Sequence, residues 1–483
     1  MNERKERIER LETVARRLEP TVGEFDDLLG HVAAYARRHI ASLKEAPAYV
    51  EREDAARGLL DSPISEHGIG ITEVLQLLNY NVDTIGINPA SGRFMGYIPG
   101  GGLVHSALGD LLAAISNRYA SVFFAGQGAV RMEDMLVRWM ASIAGYPPDS
   151  AGFLSSGGSI ANLSAIVAAR EAHHVEDDAV ERSVAYMTDH THYCVDKAMR
   201  IAGLSRCIRR SIRLDENYRM APEALEEAII ADKKAGYHPW LVVASAGTTN
   251  TGAVDPLCTV ADIARAHGLW YHCEGAYGAF FVLCPEGREK LVGMGSSDSL
   301  VLDPHKTLFL PYGTGALLVR DRQKLVQGHG GWASFLQDAG GEFGEISSAF
   351  LSPELTKHFR GLRMWLPLKL VGVAPFRAAL SEKIQLARYF FEELQKINGF
   401  RMGPYPDLSV VTYRFRPPNG DPDVFNQRLV ERINQDGRVF LSSTRIQGLF
   451  VLRAAIVCFR THRDDIDLAI EILKREAKKL LEE

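Results

Sequence analysis

Short apolar runs alternate with helical segments through the middle of this 483-residue chain, and no other feature restricts its fold as much. The runs cover 184–189, 207–214, 240–245, 269–274, 298–302 and 315–320, and helices are predicted near 159–173, 193–202, 222–235 and 256–267. Apolar strands that alternate with helices are typical of a mainly parallel sheet covered by helices on both faces. The sequence therefore predicts an α/β fold whose ligands bind at the carboxyl ends of the strands.

Helical periodicity dominates the N-terminal region. Amphipathic helices are predicted over 2–19 and 22–44, and a third over 72–80 with Thr72 as its cap. Because no strand is predicted before residue 95, we interpret 1–95 as a helical arm. A narrow arm buries its apolar stripe poorly by itself, so we expect it to lie on a partner subunit.

The rest of the chain is divided at residue 370. Residues 96–370, with helices over 106–119 and 130–144, are predicted to form a large α/β domain, and 371–483 a small α+β domain. The predicted elements around and beyond the boundary are helices 360–398, 423–436 and 464–482 and strands near 408–415, 438–444 and 449–457. The glycine-rich stretch 321–360 shows little periodicity, and we expect a mobile lid within it, over 328–348.

Composition and charge exclude several classes of function. The chain is 46% hydrophobic and 24% charged, as in ordinary globular proteins, and its net charge of −5 comes without the basic stripe that nucleic-acid binding needs. The longest uncharged stretch, 150–169, is rich in Gly, Ser and Asn, so no membrane span is predicted. The charged N-terminus and six cysteines without a CxxC pair favour a cytoplasmic protein with reduced thiols.

Residues with useful chemistry lie at the start of one predicted helix and at or just after three of the apolar runs. The segment SSGGSIAN at 155–162 opens a helix, where small residues let backbone N–H groups approach a phosphate; it could equally be a plain helix cap. Lys306 follows the run 298–302 within DPHK, Glu274 ends the run 269–274, and His192 follows the run 184–189. Each could be structural alone, but together they indicate a site with an anion cup, a histidine, an acid and a lysine.

The chain resembles the group II pyridoxal-phosphate-dependent amino acid decarboxylases, the family of the aromatic-L-amino-acid, histidine and glutamate decarboxylases. The resemblance extends from about 60 to 470. Its segments are FMGYIPGGG at 94–102, GFLSSGGSIANL at 152–163, TDHTHYCVDKA at 188–198, SAGTTNTGAVDPL at 245–257, WYHCEGAYGAF at 270–280, DSLVLDPHKTLFLPYGTG at 298–315 and FRGLRMW at 359–365. It implies a fold type I enzyme that removes CO₂ from an L-amino acid with the help of pyridoxal 5'-phosphate (PLP).

The resemblance implies a role for each residue around the cofactor ring. Lys306 would hold PLP as a Schiff base and then act as an acid–base group. Glu274 would pair with the pyridine nitrogen and keep it protonated, which makes the ring an electron sink. His192 would stack on the ring with Ala276 on the opposite face, and Thr249 would meet the ring hydroxyl.

The phosphate and the substrate have their own implied residues. Gly158, Ser159 and His305 would hold the phosphate. The substrate pocket would be lined by Tyr97, Ile98 and Pro99 and by 119–124, partly across the interface of a homodimer. The aromatic and apolar character of these segments slightly favours an aromatic or bulky L-amino acid. No metal is implied, since the chain has no HExxH and adjacent His173 and His174 point apart on their helix.

Two departures from the family's pattern leave alternatives open. Glu274 stands where the family has Asp, and one more methylene moves the carboxylate by roughly 1 Å. The family's lid carries a proton-donating Tyr, but here no Tyr lies between Tyr312 and Tyr389, and Ser348 stands near that position. An aldehyde-forming oxidative deaminase, a phosphate-ester lyase of related fold and a non-catalytic dimeric homologue are therefore alternatives to the decarboxylase.

Overall fold

The structure is a computed structural model that describes residues 2–330 and 347–483. Its N-terminal helices are α1 (Asn2–Ala15), α2 (Val22–Ser42) and α3 (Ile71–Leu78). Helix α2 begins with a capping box, in which the Thr21 hydroxyl accepts from the Glu24 N–H and the Glu24 carboxylate accepts from the Thr21 N–H. Helix α3 begins after Gly70, so the prediction of Thr72 as its cap is wrong.

Two short strands interrupt this helical region. Strands β1 (Tyr49–Val50) and β2 (Gly86–Ile87) pair antiparallel, so the prediction that no strand precedes residue 95 is wrong. A two-residue strand cannot show the alternation by which strands are predicted. The pair exists only because the chain returns after more than thirty residues, which no local pattern records.

A seven-stranded sheet forms the centre of the molecule. Its strands are β3 (Ala151–Ser155), β4 (Ser183–Met187), β5 (Ile208–Ser211), β6 (His238–Ser245), β7 (Trp270–Glu274), β8 (Ser299–Leu302) and β9 (Gly315–Val319). They lie in the order β3-β9-β8-β7-β6-β4-β5, and only β9 runs against the others. This confirms the predicted mainly parallel α/β fold and adds β3, which was not predicted as a strand.

Helices cover both faces of this sheet. They are α4 (Val104–Ser116), α5 (Gln127–Ala144), α6 (Gly158–Ala172), α7 (Tyr193–Ile201), α8 (Pro222–Lys234), α9 (Leu257–His267), α10 (Pro285–Lys290), α11 (Pro304–Thr307), α12 (Arg322–His329) and α13 (Arg360–Val371). Alternate strand residues enter separate cores: Leu241 and Val243 join the cluster with α6 and α7, whereas Val242 and Ala244 join the cluster with α5 and α9. The inner strands are almost entirely buried and mostly apolar because helices cover both of their faces, whereas the edge strand β5 alternates half-buried and exposed residues.

The C-terminal region forms a second, antiparallel sheet with its own core. Its strands are β10 (Phe400–Met402), β11 (Val410–Phe415), β12 (Ser442–Ile446) and β13 (Leu449–Ala455), in the order β10-β11-β13-β12. Helices α14 (Ala374–Gln395), α15 (Pro422–Asp436) and α16 (Arg463–Glu482) bury their apolar faces against it. The division of the chain at 95/96 and 370/371 stays a prediction.

The predicted helical region 360–398 consists of two helices, α13 and α14, separated at Gly372, whose φ of 71° favours glycine. Pro375 in the first turn of α14 was the sequence signal for this new start. The stretch 321–360, expected to lack periodic structure, begins with helix α12. Most of the predicted lid, 331–346, lies outside the described residues.

Candidate functional site

The carboxyl ends of the central strands meet at one edge of the sheet and enclose a cavity of about 270 Å³. Strands β3, β7 and β8 all point to this edge, because β3 and β8 both pair antiparallel with β9. The cavity is lined by Ser156, Gly157, Gly158, Ser159, Ile160, His192, Cys194, Glu274, Ala276, Asp303, His305 and Lys306. Groups distant in sequence are thus brought together where open α/β sheets bind ligands.

Most of the predicted cofactor residues lie together in this cavity. They are Gly158, Ser159, His192, Glu274, Ala276, His305 and Lys306. Thr249 and the segment 97–99 are not among its lining residues. Their predicted roles at a cofactor or substrate stay predictions.

A buried arginine that the sequence analysis missed connects these two remaining segments. Arg453 on β13 donates from Nη2 to the carbonyl oxygens of Thr249, at 2.7 Å, and Tyr97, at 3.3 Å, and from Nη1 to Ser442 Oγ at 3.0 Å. Burial lowers the pKa of Arg453 to about 10. A lone arginine inside the apolar run LFVLRAA was the only sequence signal, because Thr249 and Tyr97 lie in loops far away along the chain.

The segment around Tyr97 has two differently placed parts. Ile98 and Pro99 are buried, whereas the Tyr97 side chain is 59% exposed on a backbone with φ of 48°. This is the left-handed region, which non-glycine residues seldom occupy and which functional loops often show.

Lys306 meets a carboxylate on its own helical turn. Its Nζ lies 3.0 Å from Oδ2 of Asp303, which directly follows β8 and is 2% exposed. Burial lowers the pKa of the Lys306 amine, but Asp303 and Glu274 outweigh that effect and raise it above its ordinary value. The amine is therefore an ammonium group near neutral pH.

Glu274 is a buried carboxylate at the end of β7. It is 3% exposed, and burial raises its pKa, while the charge of Lys306 and the amides of Ala276 and Asn162 lower it in part. The Ala276 N–H donates to Glu274 Oε1 at 3.4 Å. Its side chain can meet a protonated nitrogen in the cavity.

A buried hydrogen-bonded chain holds Asn162 behind Glu274. Asn162 Nδ2 donates to the Gly158 carbonyl at 2.9 Å, so its Oδ1 is the acceptor for His272 Nε2 at 2.8 Å. His272 Nδ1 then accepts from Ser299 Oγ at 2.8 Å, because burial lowers the His272 pKa to about 3 and keeps the ring neutral. Trp270 Nε1 donates to the same Ser299 oxygen at 2.8 Å. All these groups are satisfied, which fixes the wall of the cavity.

The N-terminus of α6 opens into the cavity beside His305. No side chain of the described residues caps this 15-residue helix, so its first N–H groups and its dipole face the cavity. His305 donates from Nδ1 to the Thr314 carbonyl at 2.7 Å, which leaves Nε2 toward the cavity. An anion-binding helix end, a lysine and a buried acid fit PLP, which carries a phosphate, an aldehyde and a ring nitrogen.

His192 is the N-cap of α7, and its Nδ1 accepts from the Cys194 N–H at 3.4 Å. Burial and the positive charge of Lys306 together lower its pKa to about 4, although Asp303 raises it in part. The ring is therefore neutral near pH 7, which suits a group that stacks on a cofactor ring.

We expect this shifted pKa to make acid weaken the fold through His192. Unfolded His192 titrates near pH 6.5, so between about pH 6.5 and 4 the unfolded chain binds more protons and stability falls with decreasing pH. His192→Asn keeps a capping side chain but removes the titration. Urea unfolding of both proteins should show the wild type losing stability relative to the variant between about pH 7.5 and about pH 5. An unchanged difference would contradict the neutral, buried state.

The predicted pocket segment 119–124 packs against the chain that follows the undescribed residues. The Phe123 N–H donates to Ser347 Oγ at 2.9 Å, and the Ala349 N–H donates to the Ser121 carbonyl at 3.0 Å. Ser348, predicted near the position of the missing tyrosine, is buried there. A lid closing over the cavity stays a prediction.

Other kinds of site were searched across residues 2–330 and 347–483. In these ranges no three His, Cys, Asp or Glu side chains are grouped closely enough to hold a metal ion. All six cysteines have free thiols. Within the same ranges, no helix has the length and apolarity that a membrane crossing needs.

Comparisons with known proteins agree with the geometry. Residues 57–416 match the family described as "Pyridoxal-dependent decarboxylase conserved domain". The chain is 34% identical over 434 residues to an aromatic-L-amino-acid decarboxylase of Bacillus atrophaeus, covering 89% of this chain and 90% of the relative. It is 28% identical to a phenylacetaldehyde synthase of Arabidopsis thaliana, covering 81% and 83%. A crystal structure described as Oryza sativa TDC with PLP and tryptamine has a TM-score of 0.90 and 26% identity, covering 96% and 99%.

Proposed function

The chain belongs to the pyridoxal-dependent decarboxylases, and from this premise we propose that it converts an aromatic or similarly bulky L-amino acid to its amine and CO₂. Its cofactor is PLP. The observation that carries the proposal is the single cavity that joins Lys306, Glu274 and the N-terminus of α6. An aromatic substrate is supported by the similarity to relatives named for aromatic amino acids.

Each cavity residue has a task in this reaction. When bound, PLP supplies an electron sink for the pair of electrons left behind as CO₂ departs. Glu274 keeps the proton on the ring nitrogen, because a buried carboxylate strongly favours a positive charge beside it. Lys306 would hold the cofactor covalently, and whenever its amine is free it would hold and move a proton.

The other predicted residues orient the cofactor. Gly158, Ser159 and His305 hold the phosphate at the N-terminus of α6, where the helix dipole favours an anion. His192 and Ala276 would hold the ring, and Thr249 would bind the ring hydroxyl. The substrate side chain occupies the space beside Tyr97, Ile98 and Pro99 and the segment 119–124.

The activity test is a product analysis with PLP-loaded enzyme. We expect L-tryptophan, L-tyrosine or L-phenylalanine to give equal amounts of amine and CO₂, and L-glutamate to give much less. Each D-enantiomer is the matched control, with the same side chain and reversed chirality. Faster turnover of L-glutamate would contradict the proposed substrate class, and no turnover of any common L-amino acid would contradict the decarboxylase itself.

An aldehyde-forming reaction is the second candidate. It is favoured by the absence of tyrosine between Tyr312 and Tyr389 and by the similarity to a phenylacetaldehyde synthase. In that reaction the amino acid, O₂ and water give aldehyde, CO₂, ammonia and hydrogen peroxide, so O₂ is the oxidant. Peroxide and aldehyde equal to the substrate consumed would support this candidate, and amine without peroxide would reject it.

We also propose that the protein is a homodimer. Helix α2 contains no buried residue, although Phe25, Leu28 and Leu29 lie on it, and α4 exposes Leu108 and Leu112 in the same way. Apolar surface of this extent is typical of a subunit interface. A cytoplasmic location stays a prediction.

Substitution on α2 tests the dimer. We expect a mass of twice 53.4 kDa by light scattering for the wild type and a monomer for Phe25→Glu combined with Leu29→Glu, because buried charges oppose association. Asp27→Arg, which also changes charge but on the opposite side of the helix, should stay dimeric. A monomeric wild type, or a dimer that tolerates both glutamates, would contradict the proposed interface.

A further inference from the structure

Asp303 carries a carboxylate that departs from its usual local role. It is the N-cap residue of α11, a position where an aspartate ordinarily accepts from the N–H groups of the first turn. Here the side chain makes no capping hydrogen bond. It turns instead toward the cavity and places Oδ2 3.0 Å from the Lys306 Nζ. The cap interaction has thus been exchanged for a contact with the lysine.

Two glycines leave the space that this orientation requires. A Cβ on Gly158 would lie 2.8 Å from Asp303 Oδ2, and a Cβ on Gly315 would lie 2.7 Å from Asp303 Oδ1. Any other residue at either position would displace the carboxylate. The slot is formed by α6 and β9, which pack on either side of the β8 end.

The carboxylate is buried with one oxygen unused. Asp303 is 2% exposed, and Oδ1 has no hydrogen-bond partner among the described residues. Leaving a buried acceptor unsatisfied costs about 1–3 kcal/mol, so such a group calls for an explanation. Its one close cation is Lys306, while His305 Nε2 lies farther away, at 3.8 Å.

Few charges face Lys306 near neutral pH. The titratable groups around it, among the described residues, are Asp303, Glu274, Cys194, His192, His305 and Tyr312. Burial raises the pKa values of Cys194 and Tyr312 and lowers those of both histidines, so these four are uncharged. Only the two carboxylates stabilise the ammonium, and Asp303 is the one that contacts it.

We propose that Asp303 is a positioning residue that keeps the free Lys306 amine protonated and fixed at the base of the cavity. The inference rests on the proposed role of Lys306 as the lysine that bonds to PLP. It has two consequences. In the apoprotein the lysine must lose a proton before its nitrogen bonds to the PLP aldehyde with loss of water. Because Asp303 favours the protonated amine, it slows the covalent capture of PLP. During turnover it keeps the released lysine charged as a proton donor.

The test measures how fast the apoprotein captures PLP covalently as a function of pH. Asp303→Asn keeps the shape of the side chain and removes its charge. We expect the pH at which this rate reaches half its maximum, the capture midpoint, to fall by about one to three pH units in the variant. At a pH below both midpoints the variant should then bond to PLP about tenfold faster or more. Asp298→Asn is the matched control, because it removes a half-buried carboxylate at the other end of β8, about 16 Å away. Its midpoint should equal that of the wild type.

A second ligand tests whether the variant keeps the shape of the cavity. 4'-Deoxypyridoxine phosphate has an uncharged methyl group in place of the aldehyde and binds without a covalent bond, so its affinity reports whether the cavity still accepts the ring and the phosphate. We expect Asp303→Asn to bind it as the wild type does. A capture midpoint that does not fall would overturn the role of Asp303, whether or not 4'-deoxypyridoxine phosphate binding changes.

The wild type alone gives an independent outcome if the variant does not fold. Its capture midpoint should lie at or above about pH 10.4, the ordinary lysine value, and a midpoint well below it would overturn the proposal. Borohydride reduction followed by peptide mapping distinguishes a failure of the proposed function from a failure of the role of Asp303. A wild-type label elsewhere than Lys306 contradicts the proposed function, whereas a label on Lys306 with an unmoved midpoint contradicts only the role of Asp303.

Discussion

Replacing Lys306 with alanine is expected to reduce turnover by more than about a thousandfold, because the covalent link to PLP and the acid–base amine disappear together. The variant should still fold, since Lys306 borders the cavity and does not pack in the hydrophobic core. Its only close ion pair in the described structure is with Asp303. Steady-state kinetics with the preferred amino acid measure the loss. Lys234→Ala, at the exposed end of α8, is the control and should keep full activity.

Borohydride reduction of the PLP-loaded wild type provides the chemical counterpart. The label should appear on Lys306 and not on Lys357 or Lys383, which are also buried but pair with Glu133 and Glu382. Activity that survives in Lys306→Ala, or a label on another lysine, would show that the covalent role belongs elsewhere.

Glu274→Gln is expected to lower turnover by about a hundredfold or more, because a neutral amide cannot hold a proton on the ring nitrogen. Its buried position strengthens the effect, since little water is present to screen the interaction. The variant should also change the pH dependence of the PLP absorption spectrum, which follows protonation of the ring nitrogen. Glu289→Gln, on the exposed side of α10, is the matched control.

Glu274→Asp tests the length of the side chain. Shortening it by one methylene withdraws the carboxylate by roughly 1 Å, and a misplacement of this size can cost about a hundredfold. We expect activity in the order Glu, then Asp, then Gln. An aspartate variant as fast as the wild type would show that the cavity is not shaped for the longer acid, and near-normal activity of Glu274→Gln would contradict the role of residue 274.

Chemical groups at the ends of elements were predictable from the sequence. Glu274 ends one apolar run and Lys306 lies four residues after another, and parallel strands place such residues at one edge of the sheet. His192 and Gly158 begin helices that follow strands, which gave the same indication. The roles of these residues came from the resemblance to a family and stay predictions.

The sequence by itself determined the alternating α/β architecture, because a period of two or 3.6 residues and a run of buried apolar side chains are local properties. Only the tertiary structure decided that β3 joins the sheet beside β9, that Arg453 links Thr249 to Tyr97, and that Asp303 leaves its cap position for Lys306. The first two contacts join segments far apart in the chain, and the orientation of Asp303 depends on the space beside the distant Gly158 and Gly315. Their free energy comes from packing and electrostatics that no local pattern contains. The slot between Gly158 and Gly315 is such a case, since neither glycine indicates the other until β3 and β9 pair.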